Sequence, residues 1–163
     1  MSTDYGELGK LEKVDIRSVW PTEDRHFTKW LSEQENLHRL ADDLNLDLDL
    51  HATEEQVGPF SADILCRSTF DDSWVVIENQ FGRTDHDHLG KLLTYAAGLD
   101  GRTMIWIAEL FTDEHRAAID LLNESTGNEY NYFGVEIELL KIGNSNAAPR
   151  FNVVAQPNQW AKS

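Results

Sequence analysis

The sequence predicts an α/β (α+β) fold in which helices flank a central mixed β-sheet. Two observations indicate this fold. Short apolar runs such as "WVVIENQ" and "RTMIWIAEL" have the length and composition of strands. These runs alternate with segments whose apolar residues recur at helical spacing, in the rough order β-α-β-β-β-α-β-α-β-β. No repeat, linker or low-complexity tract interrupts the chain, so residues 1–163 are predicted to form one domain.

The first half of the chain predicts one long helix among short strands. "KLEKVDIRSVW" alternates in part and is expected to be a strand that Pro21 ends. Residues 24–44 place their apolar side chains on one broad helical face. "LDLDLHAT" alternates strictly, which predicts a half-exposed strand. "FSADILCRSTF" and "WVVIENQ", separated by the turn residues "DDS", predict a hairpin over 60–80.

The second half predicts two more helices and three more strands. A helix is expected over 85–97, with Thr84 or Asp85 as its N-cap and Gly98 as its stop. "RTMIWIAEL" predicts a strand that is buried on both faces. Thr112 is predicted to cap a third helix, and "YNYFGVEIELLKI" and "RFNVVAQ" are predicted to complete the sheet.

The charge of the chain bears on its partners. With 29 acidic and 14 basic residues the net charge is −15, whereas phosphate-binding proteins usually carry a basic patch. Two explanations are open: the acids form a solvated shell suited to a salt-rich cytoplasm, or the protein does not itself bind nucleic acid. The single cysteine, Cys66, excludes an intrachain disulfide and favours a reducing, cytoplasmic location. No signal peptide or membrane span is expected, because the N-terminus is polar and the apolar runs are short.

Two acidic residues interrupt apolar strands. Asp63 lies within "FSADILC" and Glu78 closes "WVVIENQ", so the predicted hairpin makes them neighbours. Alternation places Glu78 and Gln80 on the covered face of Val76 and turns Asn79 away. Buried carboxylates need a partner, and two carboxylates with a backbone carbonyl and waters form the oxygen set that Mg²⁺ prefers. The alternative from spacing alone is that both acids face solvent or pair with a lysine.

The order of polar residues along the chain resembles that of the PD-(D/E)XK nuclease superfamily. That order is an acid in the first helix, Asp63, the "ENQ" motif from Glu78, and a helix bearing Lys91 and Tyr95. The block "ENQ…TDHDHLGxLLTYAAG" is similar to a bacterial and archaeal subfamily of small domains of this type. The resemblance covers about residues 27–125. It implies a restriction-endonuclease-like core with the site at one end of the sheet.

The resemblance implies a magnesium (or manganese) site. Its expected ligands are Asp63, Glu78, the backbone carbonyl of Asn79, and an acid of the first helix. That acid is either Glu33 or Glu35. We favour Glu33, because it lies inside the apolar arc of the helical wheel. The alternative is that both are surface acids.

The sequence departs from the superfamily pattern at the motif lysine, where Gln80 stands. An amide can position water but carries no positive charge. Lys91 occupies the place of the glutamine in the Gln-x-x-x-Tyr element of related nucleases, and Tyr95 matches its tyrosine. Lys91 and Gln80 are therefore predicted to be catalytic, whereas His88, Tyr95 and Arg83 are predicted to bind substrate. His88, Lys91 and Tyr95 share one helical face.

The histidines of "TDHDH" suggest a zinc site as an alternative. His86 and His88 are two residues apart, which places them on different faces of a helix, and no cysteine is near. A solvated helix start is the favoured interpretation.

The function expected from the resemblance is metal-dependent hydrolysis of phosphodiester bonds in nucleic acid, with DNA favoured over RNA. The rival hypothesis is an inactive nuclease-fold module that binds protein or nucleic acid, supported by the missing motif lysine and the net charge of −15. An acidic DNA mimic is a third option that only the charge supports. A homodimer is possible, because cutting two strands requires two sites.

Overall fold

A computed structural model describes residues 6–158 of the chain as a seven-stranded mixed sheet with four α-helices. The strands are β1 (Leu11–Val14), β2 (Leu48–Val57), β3 (Phe60–Ser68), β4 (Trp74–Asn79), β5 (Gly101–Ala108), β6 (Asn131–Ile142) and β7 (Ala148–Ala155). The helices are α1 (Lys29–Ser32), α2 (Gln34–Leu44), α3 (His86–Leu99) and α4 (Asp113–Ser125). The predicted α/β class, a central mixed sheet flanked by helices, is confirmed.

Strand pairing changes direction across the sheet. The strands lie in the order β1-β6-β5-β4-β3-β2, and β7 also pairs with β6. β3 pairs with β4 antiparallel, as the predicted hairpin requires, while β4, β5 and β6 run parallel to one another. The helices α3 and α4 follow β4 and β5, because parallel neighbours need a crossover connection.

Each face of the sheet carries its own apolar core. Leucines of α2, such as Leu40, pack with Ile77 and Ile105 on one face. On the other face, Leu92 of α3 and Ile119 of α4 belong to the core that includes Val76 and Trp106. β5 contributes buried residues to both cores, which confirms that it is buried on both faces.

The first predicted strand is shorter than the sequence indicates. It ends at Val14, and residues Ile16–Ser18 form a 3₁₀ turn. The Asp15 carboxylate causes this change, because its Oδ1 accepts a hydrogen bond of 3.1 Å from the Arg17 amide and caps the turn.

The single helix predicted over 24–44 is divided. Glu23–Thr28 is π-helical, α1 follows, and Glu33 then takes an extended conformation (ψ 132°) before α2 begins. The Asn36 side chain satisfies a carbonyl at this break, since its Nδ2 donates to the Trp30 oxygen over 2.9 Å. The apolar face continues across the break, which explains why spacing alone predicts one helix.

The start of α3 agrees with the sequence and its end does not. Asp85, one of the two predicted caps, accepts from the His88 amide over 2.8 Å. Gly98 does not stop the helix, which ends instead at Asp100 in the left-handed conformation (φ 54°). Gly98 lies against Val57 of β2, where a Cβ atom would overlap the valine side chain. Its small size therefore serves helix–strand packing.

Thr112 caps α4 as predicted, because its Oγ1 accepts from the His115 amide over 3.1 Å. Within residues 6–158, none of the helices has the length and apolar character that a membrane span needs.

Candidate functional site

Asp63 and Glu78 face each other across β3 and β4. The last paired positions of these antiparallel strands are Ile64 and Ile77, so Asp63 and Glu78 form the next cross-strand pair. Each carboxyl group affects the ionisation of the other. Asp63 Oδ2 also accepts from the Asn79 amide over 2.8 Å. The hairpin therefore brings together the two acids that the sequence singled out.

Glu78 is a buried carboxyl with an unused oxygen. The residue is 3% exposed, and its Oε2 has no hydrogen-bond partner in the described part of the chain. Burial raises the pKa of Glu78 to about 10, and the charge of Asp63 adds to the effect. Burial raises the pKa of Asp63 as well, although the Asn79 amide opposes it. Without a bound cation, Glu78 therefore holds its proton at neutral pH.

A third acid joins this pair, and it is Glu23. Its Oε2 accepts a hydrogen bond of 2.6 Å from the Phe81 amide, directly after β4. Burial raises the pKa of Glu23, and the charge of Asp63 raises it further. The π-helical turn Glu23–Thr28 places this carboxylate at the end of the sheet.

The structure does not bring Glu33 or Glu35 to the pair. Both are exposed, and no contact within residues 6–158 joins either carboxylate to Asp63 or Glu78. Glu33 is the residue at which the helix breaks, so its place on an ideal wheel does not apply. Sequence reasoning missed Glu23 because it compared acids within the apolar arc. An acid in the first helical turn is favoured by the helix dipole, and that signal points to Glu23.

A fourth carboxylate, Glu54, lies at the edge of the cluster. Burial and the charge of Asp63 raise the pKa of Glu54, although the residue is exposed. Its Oε2 accepts from the Ser61 hydroxyl over 3.2 Å. Its backbone is left-handed (φ 51°), close to the bulge in the pairing of β2 and β3.

The predicted face of α3 turns toward the acids. Burial acts against the charged form of Lys91, but Asp87 and Glu78 outweigh it and raise the pKa of Lys91. Lys91 in turn stabilises the ionised forms of Glu78 and Asp63. Burial and the charge of Glu78 raise the pKa of Tyr95, which is 3% exposed. Lys91 and Tyr95 therefore both lie within electrostatic reach of the carboxyl pair.

Lys91 and His88 also contact acidic residues near the start of α3. The Lys91 ammonium forms an ion pair of 3.1 Å with Asp87. His88 also favours ionised Asp63, while its Nδ1 contacts Asp85 Oδ1 over 2.8 Å. Lys91 and His88 thus each have an acidic neighbour close to the start of α3.

Gln80 is engaged on both sides of its amide. Its Oε1 accepts from the Trp106 indole over 3.1 Å, and its Nε2 donates to the Arg83 carbonyl over 2.6 Å. The residue is 4% exposed. These two bonds fix the orientation of the Gln80 amide and tie it to the loop after β4. Arg83 enters the network through its main chain, and its side chain is exposed.

Asn79 points to the opposite face of the sheet. Its Nδ2 donates to Thr28 Oγ1 over 3.0 Å, and its Oδ1 is buried without a partner in the described part of the chain. The sequence predicted this orientation from alternation. A contribution of Asn79 to a cation site would therefore come from its backbone carbonyl.

The donor set fits a hard divalent cation. Glu78 Oε2 is an unsatisfied buried carboxylate oxygen, and Asp63 and Glu23 add oxygen ligands of the kind that Mg²⁺ or Mn²⁺ takes. A cation there would supply the missing partner of Glu78. It would also remove the repulsion that now favours the protonated form.

A second group of ligand atoms lies at the start of α3. One atom each of Asp85, Asp87 and His88 lie within 4.8 Å of one another. Asp85 caps the helix and Asp87 pairs with Lys91, so protein contacts already explain this group. The histidines of "TDHDH" diverge: His88 turns to Asp85, whereas His86 Nδ1 contacts His115 Nε2 over 3.1 Å. The zinc alternative of a site shared by His86 and His88 is not supported.

Comparison with known proteins places the chain near no family. It matches no known protein-family model and no curated protein. Among solved structures, it is similar to SfsA of Pyrococcus furiosus in complex with Ca²⁺, with 16% sequence identity and a TM-score of 0.41. The similarity covers 80% of this chain and 60% of that protein. A likeness this weak does not identify a shared activity.

Proposed function

We propose that this protein is a metal-dependent hydrolase of phosphodiester bonds in nucleic acid, with DNA as the favoured substrate. The observation that carries the proposal is the buried Asp63–Glu78 pair, whose Glu78 Oε2 has no partner in the described part of the chain. The order of polar residues, which resembles that of PD-(D/E)XK nucleases, supports the choice of substrate class.

In this proposal, Asp63, Glu78 and the Asn79 carbonyl hold Mg²⁺ or Mn²⁺, and Glu23 binds it directly or through water. Such a cation activates a bound water and stabilises negative charge on the phosphate. The Asn79 amide fixes the orientation of Asp63, and the Phe81 amide fixes that of Glu23. These backbone donors also favour the ionised carboxylates that a cation requires.

Lys91 would supply the positive charge that Gln80 cannot. Its ammonium interacts with Glu78 and Asp63 as well as with Asp87. Lys91 would balance the cluster and contact the reacting phosphate. The Asp87 pair does not prevent this role, because an exposed ion pair contributes little and is easily exchanged.

The direct test is nicking of supercoiled DNA with and without Mg²⁺ or Mn²⁺, with an RNA substrate in parallel. Wild-type protein is expected to nick DNA only with the cation, and Asp63→Asn and Glu78→Gln are expected to be inactive. Glu35→Gln, which alters an exposed acid away from the pair, is the matched control. Equal nicking by wild type and Asp63→Asn would refute the assignment.

The second candidate function is a non-catalytic module with this fold. The observation that favours it is the engagement of Gln80 by Trp106 and Arg83 at the place of the motif lysine. Calorimetric titration with Mn²⁺ separates the two functions. Binding that is lost in Glu78→Gln favours the hydrolase, and absence of binding to wild-type protein favours the module.

A further inference from the structure

A cavity of about 280 Å³ opens between the start of β3 and the outer side of α3. Phe60, His86, Gly90 and Lys91 are among the residues that line it. This volume is large enough for a small ring system. The carboxyl pair does not line the cavity, but Lys91 lines it and interacts electrostatically with Glu78.

Phe60 gives the cavity an exposed aromatic wall. The side chain is 52% exposed, although it is a large apolar group at the first position of β3. Gly90 leaves the opposite side open, because a Cβ atom there would meet no atom within 4 Å. An accessible aromatic face beside open space is the arrangement on which proteins stack nucleobases.

The buried residue His115 fixes the orientation of His86. His115 is 6% exposed, and its Nδ1 lies 2.9 Å from the Thr84 hydroxyl and 2.7 Å from the Thr112 hydroxyl. Each of these hydroxyl oxygens also accepts a backbone amide. The two hydroxyl contacts hold the His115 ring so that its Nε2 faces His86.

The contact with His115 determines which nitrogen of His86 is left for the cavity. His115 Nε2 lies 3.1 Å from His86 Nδ1, so these two nitrogens share one hydrogen bond. Burial lowers the pKa of His115, and the neighbouring His86 lowers it further. The Nε2 atom on the other side of the His86 ring is therefore the atom that can hydrogen-bond a ligand in the cavity.

Two residues relate the cavity to the candidate catalytic site, Phe60 through its position on β3 and Lys91 through its charge. Phe60 precedes Asp63 by three residues, which is about 10 Å along the strand. Lys91 lines the cavity and interacts electrostatically with Glu78, so its ammonium would complement a phosphate attached to a ligand in the cavity. Asp87 also lines the cavity, but its carboxylate is paired with Lys91.

We propose that this cavity binds one unstacked nucleobase of the substrate, with Phe60 as the stacking surface and His86 Nε2 as the atom that hydrogen-bonds the base. This inference rests on the proposed function, because it takes the nucleic acid to be the substrate. His115, Thr84 and Thr112 are positioning residues that hold His86. The nucleotide strand then continues past Lys91 to Asp63. The site accepts a single strand or a base flipped out of a duplex.

The test is binding of a labelled single-stranded oligonucleotide, measured by anisotropy with Ca²⁺ present. Phe60→Ala is expected to weaken binding about tenfold, as does the loss of one aromatic stacking contact elsewhere. Phe70→Ala is the matched control, because Phe70 is 71% exposed and lies beyond the far end of β3. His86→Ala is expected to weaken binding as well, and thermal melting checks that each variant is folded.

An oligonucleotide of abasic nucleotides gives the decisive comparison. It is expected to bind Phe60→Ala and wild type equally, because no base remains to stack. Equal effects of Phe60→Ala and Phe70→Ala, a Phe60 effect that persists without bases, or no binding by wild type would each overturn the inference. Base-dependent binding without DNA nicking would refute the proposed hydrolysis and leave this site standing. Equal nicking of DNA by wild type and Phe60→Ala would refute this site and leave the proposed hydrolysis standing.

Discussion

Replacing Glu78 with glutamine is expected to stabilise the metal-free protein by about 4 kcal/mol at about pH 7.5. The substitution keeps the size of the side chain and leaves an uncharged polar group beside Asp63. It removes a group whose pKa differs between the folded and the unfolded protein. The ordinary pKa of Glu78 is 4.5, whereas burial and then the charge of Asp63 raise the pKa to about 10 in the folded protein.

The magnitude follows from linkage between folding and protonation. Between the two pKa values the folded state binds a proton that the unfolded state lacks, so the free energy of unfolding falls as pH rises. Each pH unit contributes about 1.36 kcal/mol, and the roughly three units above the ordinary pKa of 4.5 give about 4 kcal/mol. Because this pH lies below the folded pKa, the figure depends on the ordinary pKa rather than on the raised one.

Urea unfolding in EDTA, followed by tryptophan fluorescence, measures the effect. Wild type is expected to lose about 1.4 kcal/mol per pH unit between about pH 5.5 and about pH 8.5, in excess of the slope of Glu78→Gln. Glu35→Gln removes an exposed glutamate and is expected to retain the wild-type slope. Parallel slopes for wild type and Glu78→Gln would refute the reasoning, since Glu78 would then ionise alike in both states.

Three further predictions concern the cation, the third acid Glu23, and the hydrogen bond from Trp106 to Gln80. Mg²⁺ or Mn²⁺ at about a hundred times its Kd is expected to stabilise wild type by about 2.7 kcal/mol, and Asp63→Asn to abolish the gain in urea unfolding. Glu23→Gln is expected to reduce nicking by about 10- to 100-fold, whereas Glu33→Gln is expected to leave it unchanged. Equal nicking rates for the two variants would contradict the choice of Glu23 over Glu33. Trp106→Phe, which removes a donor to buried Gln80, is expected to lower the free energy of unfolding by about 1–3 kcal/mol, and an unchanged urea midpoint and slope would contradict this.

The fold and the central pair could be predicted because each follows from a short-range period. Alternation along β4 fixes the faces of Glu78 and Asn79, and one tight turn fixes Asp63 opposite Glu78. Burial of a charged residue in an apolar strand is itself an informative signal, because carboxylates are rarely buried without a partner.

The rest of the site depends on irregular or distant features. Glu23 reaches the site through a π-helical turn, and the break at Glu33 leaves the apolar spacing of the following helix undisturbed. His115 meets His86 from α4, 29 positions along the chain. Hydrophobic periodicity cannot detect a change of helix type or a contact between distant polar residues.

Asn79 restricts the register in which β4 can pair with β3. Its backbone holds Asp63 on one face of the sheet while its side chain holds Thr28 on the other. A slip of β4 by one position would drive the Glu78 carboxyl among the leucines of α2 and turn the Asn79 amide toward Lys91. The misaligned hairpin would thus be penalised on both faces at once. The small Asn79 side chain and its backbone together therefore favour a single register of β4.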